Sequence, residues 1–581
     1  MNNLRERLIK AHESNRIIVA EALEFSYGSD ENHSQVIEAL ITLHNERAVN
    51  IIKEFKNLKN IQGSSPDFFP ARRLLEKSLP QLNAPLCNVM ECIERLVKEA
   101  GQDMLAHSIF SPFIEFCAVD VARPVEGLKL IEESPELWAS FVSPIIIAGS
   151  RLDLRRFFDK ALVLTSHDNI DVRRNAIFSL GRIEFKQSPE LPVLALKQLE
   201  YLVRKETDDL LFGNIVSSVC SIFRQVKSQA DHVVKILEAT LSKGQDYTLH
   251  AASQEFHQKS DELTESMLQV IMRNLIRINP KNNGTINNID YGLAALIKGD
   301  SQNQTIEFLE KLLLSHQREL SLKLFNSVIH EILTQNILEK LLTRWFLRGN
   351  PVLCHGIRTV LSKVHGEELH LKIDQEELPA SNSIILMYLA KKIIGYLFFK
   401  PITAASIIVS LIQYTHEPDT AEHLASLLFD PLLINYSGSV NEYLKACIKN
   451  EEGQKKEVIQ KILDDFETYF EGLKSVGKIP EMYPSQGQRE AYARHLNQQM
   501  NESYKEAMKG SWVNLIFSKS VLLYGRKSIN YIDHGSGEAK RMEIPMKKHG
   551  TEMEFPRREH IDPFGLDYML RLFRAERLVR S

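Results

Sequence analysis

The sequence predicts an all-α solenoid of irregular helical hairpins, with a small β-hairpin or meander near the C-terminus. Three observations predict it. Two helical hairpins between Arg151 and Gln225 repeat in the same register, roughly 39 residues apart. Gly (26) and Pro (21) are sparse for 581 residues, while Leu, Ile, Glu, Lys and Ala dominate, a balance that favours helix. Near Ser528 the apolar pattern changes to a period of two, which favours strand. A chain of this length is too long for one compact core. A solenoid escapes that limit, because each repeat needs only its neighbours.

In chain order, residues 1–62 read as an N-terminal helical cap. Ile18, Val19, Ala22 and Leu23 form one apolar stripe and Val36, Ile37, Leu40, Ile41 and Leu43 another, with Gly28-Ser29-Asp30 between them. Gln62-Gly63-Ser64-Ser65-Pro66-Asp67 is turn-rich and marks a hinge. The helical-repeat region spans 68–500 and is clearest at 151–241. There, a first helix at about Leu152–Leu164 pairs with a second at Asp171–Ile183, whose apolar residues are Val172, Ala176, Ile177, Leu180 and Ile183. The next pair is Leu191–Val203, opened by Pro189 at a position where its missing N–H is not needed, and Asp208–Phe223, where Leu211, Ile215, Val216, Val219 and Ile222 repeat the register.

A third first helix follows at about Ala230–Leu241, but its partner after Asp246 breaks the pattern. Helices continue to Ile448, with Ser383–Phe399 and Thr403–Leu411 apolar enough for burial on most sides. Glu452–Leu473 and Gln486–Lys509 are more polar. Residues 501–581 read as a C-terminal cap. Ser528–Ile532 and Arg541–Met546 are expected strands around a His534-Gly535-Ser536-Gly537 turn, with a third strand at Thr551–Phe555 and a final helix after Asp562-Pro563.

The segment Asp168-x-x-Asp171-Val172-Arg173-x-x-Ala176-x-x-x-Leu180-Gly181-x-Ile183 resembles the second helix of HEAT repeats. The resemblance implies that Asp168, Asp171 and Arg173 link neighbouring repeats, and that the 171–183 helix lines an inner, concave surface. In the next repeat Phe212 stands where the Arg would be and Val219-Cys220 replaces Leu-Gly, so the resemblance covers about 75 to 90 residues. HEAT-type solenoids mostly hold protein partners and some bind DNA, which sets an expectation about class and none about a site.

The formal charge is only −4, so no global field marks a nucleic acid or anionic membrane as partner. Lys505–Ser581 carries 15 basic and 10 acidic residues, which leaves −9 on the preceding chain. The six cysteines are scattered without C-x-x-C spacing and suit a reducing compartment, so a cytoplasmic protein is expected. The N-terminus has no signal-peptide core, and the longest apolar run, Val142–Gly149, is far shorter than the roughly 20 residues of a membrane span. No phosphate loop, dinucleotide fingerprint, zinc-hydrolase or nucleophile-elbow pattern occurs. No cofactor, metal or catalytic residue is expected.

Cys354-His355 is adjacent in sequence, a spacing that does not bring side chains face to face on a helix. The polar cluster Asp533, His534, His549, Glu552, Glu554, Glu559, His560 and Asp562 matches no ligand spacing and reads as solvated turns. The remaining candidates are Arg155, Arg156, Arg174, Phe178, Arg182, Arg204 and Lys205, with Arg173 beside them. They sit on consecutive repeat helices, which would align them along one groove. At about 100° per residue, Arg174 and Phe178 fall opposite the apolar side of their helix and are expected to face out. An exposed Arg beside an aromatic suits an acidic protein patch, or a nucleic-acid backbone with stacking. The stretch Arg151–Lys227 holds 13 basic and 10 acidic residues, so its field is weak. The expected function is a non-enzymatic scaffold or adaptor for a protein partner. The alternative is a nucleic-acid-binding solenoid in a DNA- or RNA-processing or defence complex.

Overall fold

The structure, a computed structural model, describes residues 2–578 except 15–17, 28, 62–65, 104, 186–187, 259–261, 300–301, 318, 367, 380–381, 416, 451–452, 478, 510–516, 524–526, 534–538 and 546–553. It is an all-α chain of consecutive helical hairpins with, among the described residues, one small sheet, and it divides into two compact units, Met1–Glu319 and Leu320–Ser581. That division falls inside the stretch read from sequence as one repeat region.

In the first unit the clearest hairpins are Leu154–Leu164 with Ile170–Arg182, and Glu190–Lys205 with Asp209–Gln225. Each second helix is started by a side chain that accepts backbone N–H groups otherwise left unpaired. Asn169 Oδ1 accepts from Asp171 and Val172 N at 2.9 and 3.2 Å, and Asp208 Oδ1 accepts from Leu211 N at 2.8 Å. The apolar residues expected at the core of both helices are fully buried.

The pattern that fades in sequence after Asp246 continues in space. Ala230–Lys243 pairs with Asp246–Gln258, and Glu265–Leu275 is followed by Asn283–Lys298. The four second helices (Ile170–Arg182, Asp209–Gln225, Asp246–Gln258 and Asn283–Lys298) pack in series as one layer. They approach closely: a Cβ on Gly181 would lie 2.5 Å from Ser218 Cα. The Asp246–Gln258 helix hides from a hydrophobic search because its buried face uses Ala252, Ser253 and Thr248 beside Leu249 and Phe256.

In the second unit Ser383–Leu397 and Pro401–Tyr414 are buried on most sides, as their composition requires. The last helix, Pro563–Ala575, packs on Ser383–Leu397, well back along the chain. Lys392 Nζ donates to Arg574 O at 2.5 Å, Arg574 Nε to Gly395 O at 2.5 Å, and Lys391 pairs with Glu576 at 2.7 Å. The sheet is an antiparallel meander, β1 (Phe517–Leu523), β2 (Lys527–Asp533) and β3 (Ala539–Pro545), with Asn530 opposite Met542. The strand expected to follow at Thr551–Phe555 falls largely outside the described residues. A strand that the sequence did not announce precedes the hairpin at Phe517–Leu523. The Gln62–Ser65 hinge and the His534–Gly537 turn also lie outside the described residues.

Candidate partner-binding face

The repeat arginines are used mainly within the protein. Arg174, expected to face out, is half-buried and forks onto Asp208 of the next repeat, with Nε to Oδ1 at 2.9 Å and Nη2 to Oδ2 at 2.6 Å, while its Nη1 reaches Asp171 at 2.8 Å. The guanidinium holds the Asp208 carboxyl below the usual range, and Asp208 in turn raises Arg174. Helical periodicity places Arg174 away from its own helix's core; it is the neighbouring helix that covers it. Arg173 donates to His167 O and Asp168 O at 2.9 and 3.1 Å and lies 3.5 Å from Glu206.

Arg155 is exposed and pairs with Asp159 at 3.0 Å, Arg156 is exposed near the Phe157 ring, and Arg204 pairs with Glu200. Lys205 Nζ stands 6.0 Å from the Tyr201 ring. These residues do not line one groove. Arg155 and Arg156 begin a first helix, at the same end of the hairpin as Arg182, which closes a second helix. Arg204 and Lys205 close a first helix, at the opposite, turn end with Arg174. Phe178 and Arg182 do form a local pair, guanidinium over ring at 5.0 Å, with Phe178 half-buried.

The layer of second helices offers a different surface. Its solvent side carries Asn214, Ser217 and Ser221, then Tyr247, His250 and Gln254, then Asn288 and Tyr291. Their spacings of three and four residues put each set on one helical face. Several are fixed by bonds between repeats. Asn214 Nδ2 donates to Arg174 O at 3.0 Å, His250 Nδ1 meets Thr285 Oγ1 at 3.0 Å, and Asn288 Nδ2 donates to Ser253 Oγ at 3.0 Å. Burial lowers His250, which favours its neutral ring. Tyr247 is 61% exposed and Tyr291 53% exposed, the latter 5.1 Å from the His257 ring. The surface is thus neutral, rich in amides and hydroxyls, and carries two projecting tyrosines. Sequence inspection directed at charge passed it over; the signal was the recurrence of Asn, Ser, His and Tyr at helical spacing.

The Cys354–His355 pair is not a nucleophilic couple. Cys354 is buried, donates to Trp345 O at 3.6 Å and is pushed up to about 12 by burial, while the His355 ring packs 5.1 Å from Tyr396. In the C-terminal polar cluster Glu554 accepts from Gly438 and Ser439 N, Glu559 from Tyr492 Oη, and Asp562 from Gly565 N. His534, His549 and Glu552 lie outside the described residues. Among the described residues no His, Cys, Asp and Glu group is placed to hold a metal, and no helix is long and apolar enough to cross a membrane.

No family model matches the chain, and no curated protein matches it. Solved structures do match over most of its length. An engineered protein aligns at 12% identity and TM-score 0.18, covering 80% of this chain and 99% of its own. A structure from work on a phosphorylation switch in the cadherin–beta-catenin interaction aligns at 11% identity and TM-score 0.20, covering 79% and 96%. The TSC2 N-terminus aligns at 12% identity and TM-score 0.17, covering 80% and 98%. At TM-scores this low the chain paths do not superpose, so the matches carry no functional argument.

Proposed function

We propose that this chain is a non-enzymatic, HEAT-like scaffold that binds a protein partner on the solvent side of its second helices. One observation carries the reading: the face from Asn214 to Tyr291 is neutral and tyrosine-bearing. Protein interfaces are depleted of charge at their centre and enriched in tyrosine, which supplies contact area with few rotatable bonds. Phe178 and Arg182 extend that face at its start as an aromatic–cation pair of the kind found at binding hot spots. A nucleic-acid face would instead need free cations along the backbone path, whereas Arg155, Arg174 and Arg204 each have a carboxylate partner. The six free thiols suit a reducing compartment, and we place the scaffold in the cytoplasm.

The test is affinity capture from the native host with the full chain and with a Tyr247→Ala/Tyr291→Ala variant, each split into nuclease-treated and untreated halves. The expected result is a protein that resists nuclease, survives moderate salt and is lost from the variant. Capture of nucleic acid that falls steeply with salt, with every associated protein lost on nuclease treatment, would overturn this reading in favour of a nucleic-acid-binding solenoid.

A further inference from the structure

A cleft of about 590 Å³ in the second unit is lined by the cations Arg358, Lys400 and Arg574 and the carboxylates Glu368, Glu554, Glu559 and Asp567. It lies between the returning C-terminal helix and the helices Pro351–Ser362, Ser383–Leu397 and Pro401–Tyr414. Arg358 and Arg574, from two different helices, both line it and both are half-buried. Arg358 stacks at 5.1 Å on Phe399; Arg574 spends Nε on Gly395 O and stands 5.9 Å from the Tyr396 ring. Among the described residues neither guanidinium makes an ion pair. Burial lowers both, and the charge of Arg358 lowers Arg574 further. Two like charges held in one partly desolvated cleft oppose each other, and an added anion would relieve that opposition.

Each carboxylate that lines the cleft has a hydrogen-bond or ion-pair partner other than the two arginines, although the charge of Asp567 also favours the Arg574 cation. Glu554 caps Gly438 and Ser439, Glu559 accepts from Tyr492 Oη, Asp567 pairs with Arg571 and Glu368 accepts from Thr403 N. Burial also raises Glu368, which favours its neutral form. Phe399 and Phe555 also line the cleft and are exposed.

We propose that this cleft binds a small phosphate monoester, with the phosphate between Arg358 and Arg574 and the organic body against Phe399 and Phe555. Charge and size select that class. A phosphate monoester carries about −1.5 to −2 at neutral pH and so matches two guanidinium groups. Guanidinium forks suit its oxygens in pairs. The volume falls within the range of small-molecule sites, roughly 300–1,000 Å³. The site is separate from the partner face of the first unit and stands independently of it.

The test is calorimetric titration of the full chain with phenyl phosphate, inorganic phosphate and phenol. Phenyl phosphate is expected to bind, phenol not to, and inorganic phosphate to bind more weakly. Arg358→Gln should weaken phenyl phosphate at least about tenfold by removing charge-assisted bonds. The same variant, without ligand, should melt no lower than wild type, since it removes a like-charge repulsion. Arg574→Lys keeps a cation and a donor for Gly395 O but loses the fork, and should also weaken binding. Phe399→Ala should weaken phenyl phosphate while sparing inorganic phosphate. No binding by wild type, or equal binding by wild type and Arg358→Gln, overturns the site. Equal affinity for phenyl and inorganic phosphate overturns the organic body.

Discussion

Arg174 forks onto Asp208 across a repeat boundary and so ties the Ile170–Arg182 helix to the residue that caps the next second helix. One carboxylate thus accepts from a guanidinium of one repeat and from a backbone N–H of its own. Both side chains are mostly shielded, at 22% and 29% exposed, so the pair is expected to matter more than a surface ion pair. Arg174→Ala should cost about 2 kcal/mol, because it strands a partly buried carboxylate. The measurement is hydrogen exchange through 170–225 across a urea series. A loss below roughly 0.5 kcal/mol, the level of an exposed pair, would reduce the fork to surface decoration.

Acid should loosen the same joint. Arg174 holds the Asp208 carboxyl below its ordinary value of 3.8, so the contribution is complete above that value and fades as pH falls through the lower folded value. Asp208→Asn should therefore flatten the acid limb of stability in that range. Equal acid limbs in wild type and variant would show that the coupling is absent.

The hairpins were legible because amphipathic spacing, acidic starts and Asn or Asp caps are local signals. Val172, Ala176 and Leu180 declare a buried stripe without reference to any other helix. The Arg174–Asp208 fork was not legible, because a helical wheel shows which side of a helix faces its own core and cannot show a neighbour crossing the far side. The partner face was missed for a related reason: Asn214, Tyr247 and Tyr291 stand out only once their helices are stacked. Arg358 and Arg574 lie far apart in sequence, and only the return of the last helix makes them neighbours.

Two shielded histidines, one buried and one half-buried, set a second pH window. Burial lowers His44 and His250 from 6.5, so both favour the neutral ring, and stability present above 6.5 is lost as pH falls below it. His44 Nδ1 accepts from Ile51 N at 3.2 Å, a role that an Asn oxygen can fill. His44→Asn should therefore keep the bond at neutral pH and reduce the slope of stability with acidification. Superimposable pH profiles for the two proteins would remove His44 from this account.

Two glycines separate packing from propensity. A Cβ on Gly181 would meet backbone at Ser218 Cα, 2.5 Å away, whereas one on Gly472 meets nothing within 4 Å. Gly181→Ala must push two second helices apart and should cost about 2 kcal/mol. Gly472→Ala lies on an exposed turn of the Gly453–Val476 helix and should stabilise it by about 0.5–1 kcal/mol. Chemical denaturation of both variants decides the matter, and a neutral Gly181→Ala would mean that the layer of second helices slides freely.

The last helix offers the same lever in the second unit. Ser383–Leu397 is apolar nearly all round and requires a cover that no adjacent sequence announces; Pro563–Ala575 supplies it. At Gly395 the two approach closely, since a Cβ there would lie 2.9 Å from Arg574 N and 3.1 Å from Arg574 Cγ. Backbone cannot yield as a side-chain tip can, so Gly395→Ala should lift the end of the C-terminal helix and break the Arg574 Nε to Gly395 O bond. Trypsin should then cut faster at Arg571 and Arg574, and amides in 563–575 should exchange faster, while those in 170–225 stay unchanged. Arg574 would leave the cleft with its helix, so phenyl phosphate binding should weaken in parallel. Unchanged proteolysis and exchange would show that the helix is held by its apolar residues, Leu566 and Leu570, without the close contact at Gly395.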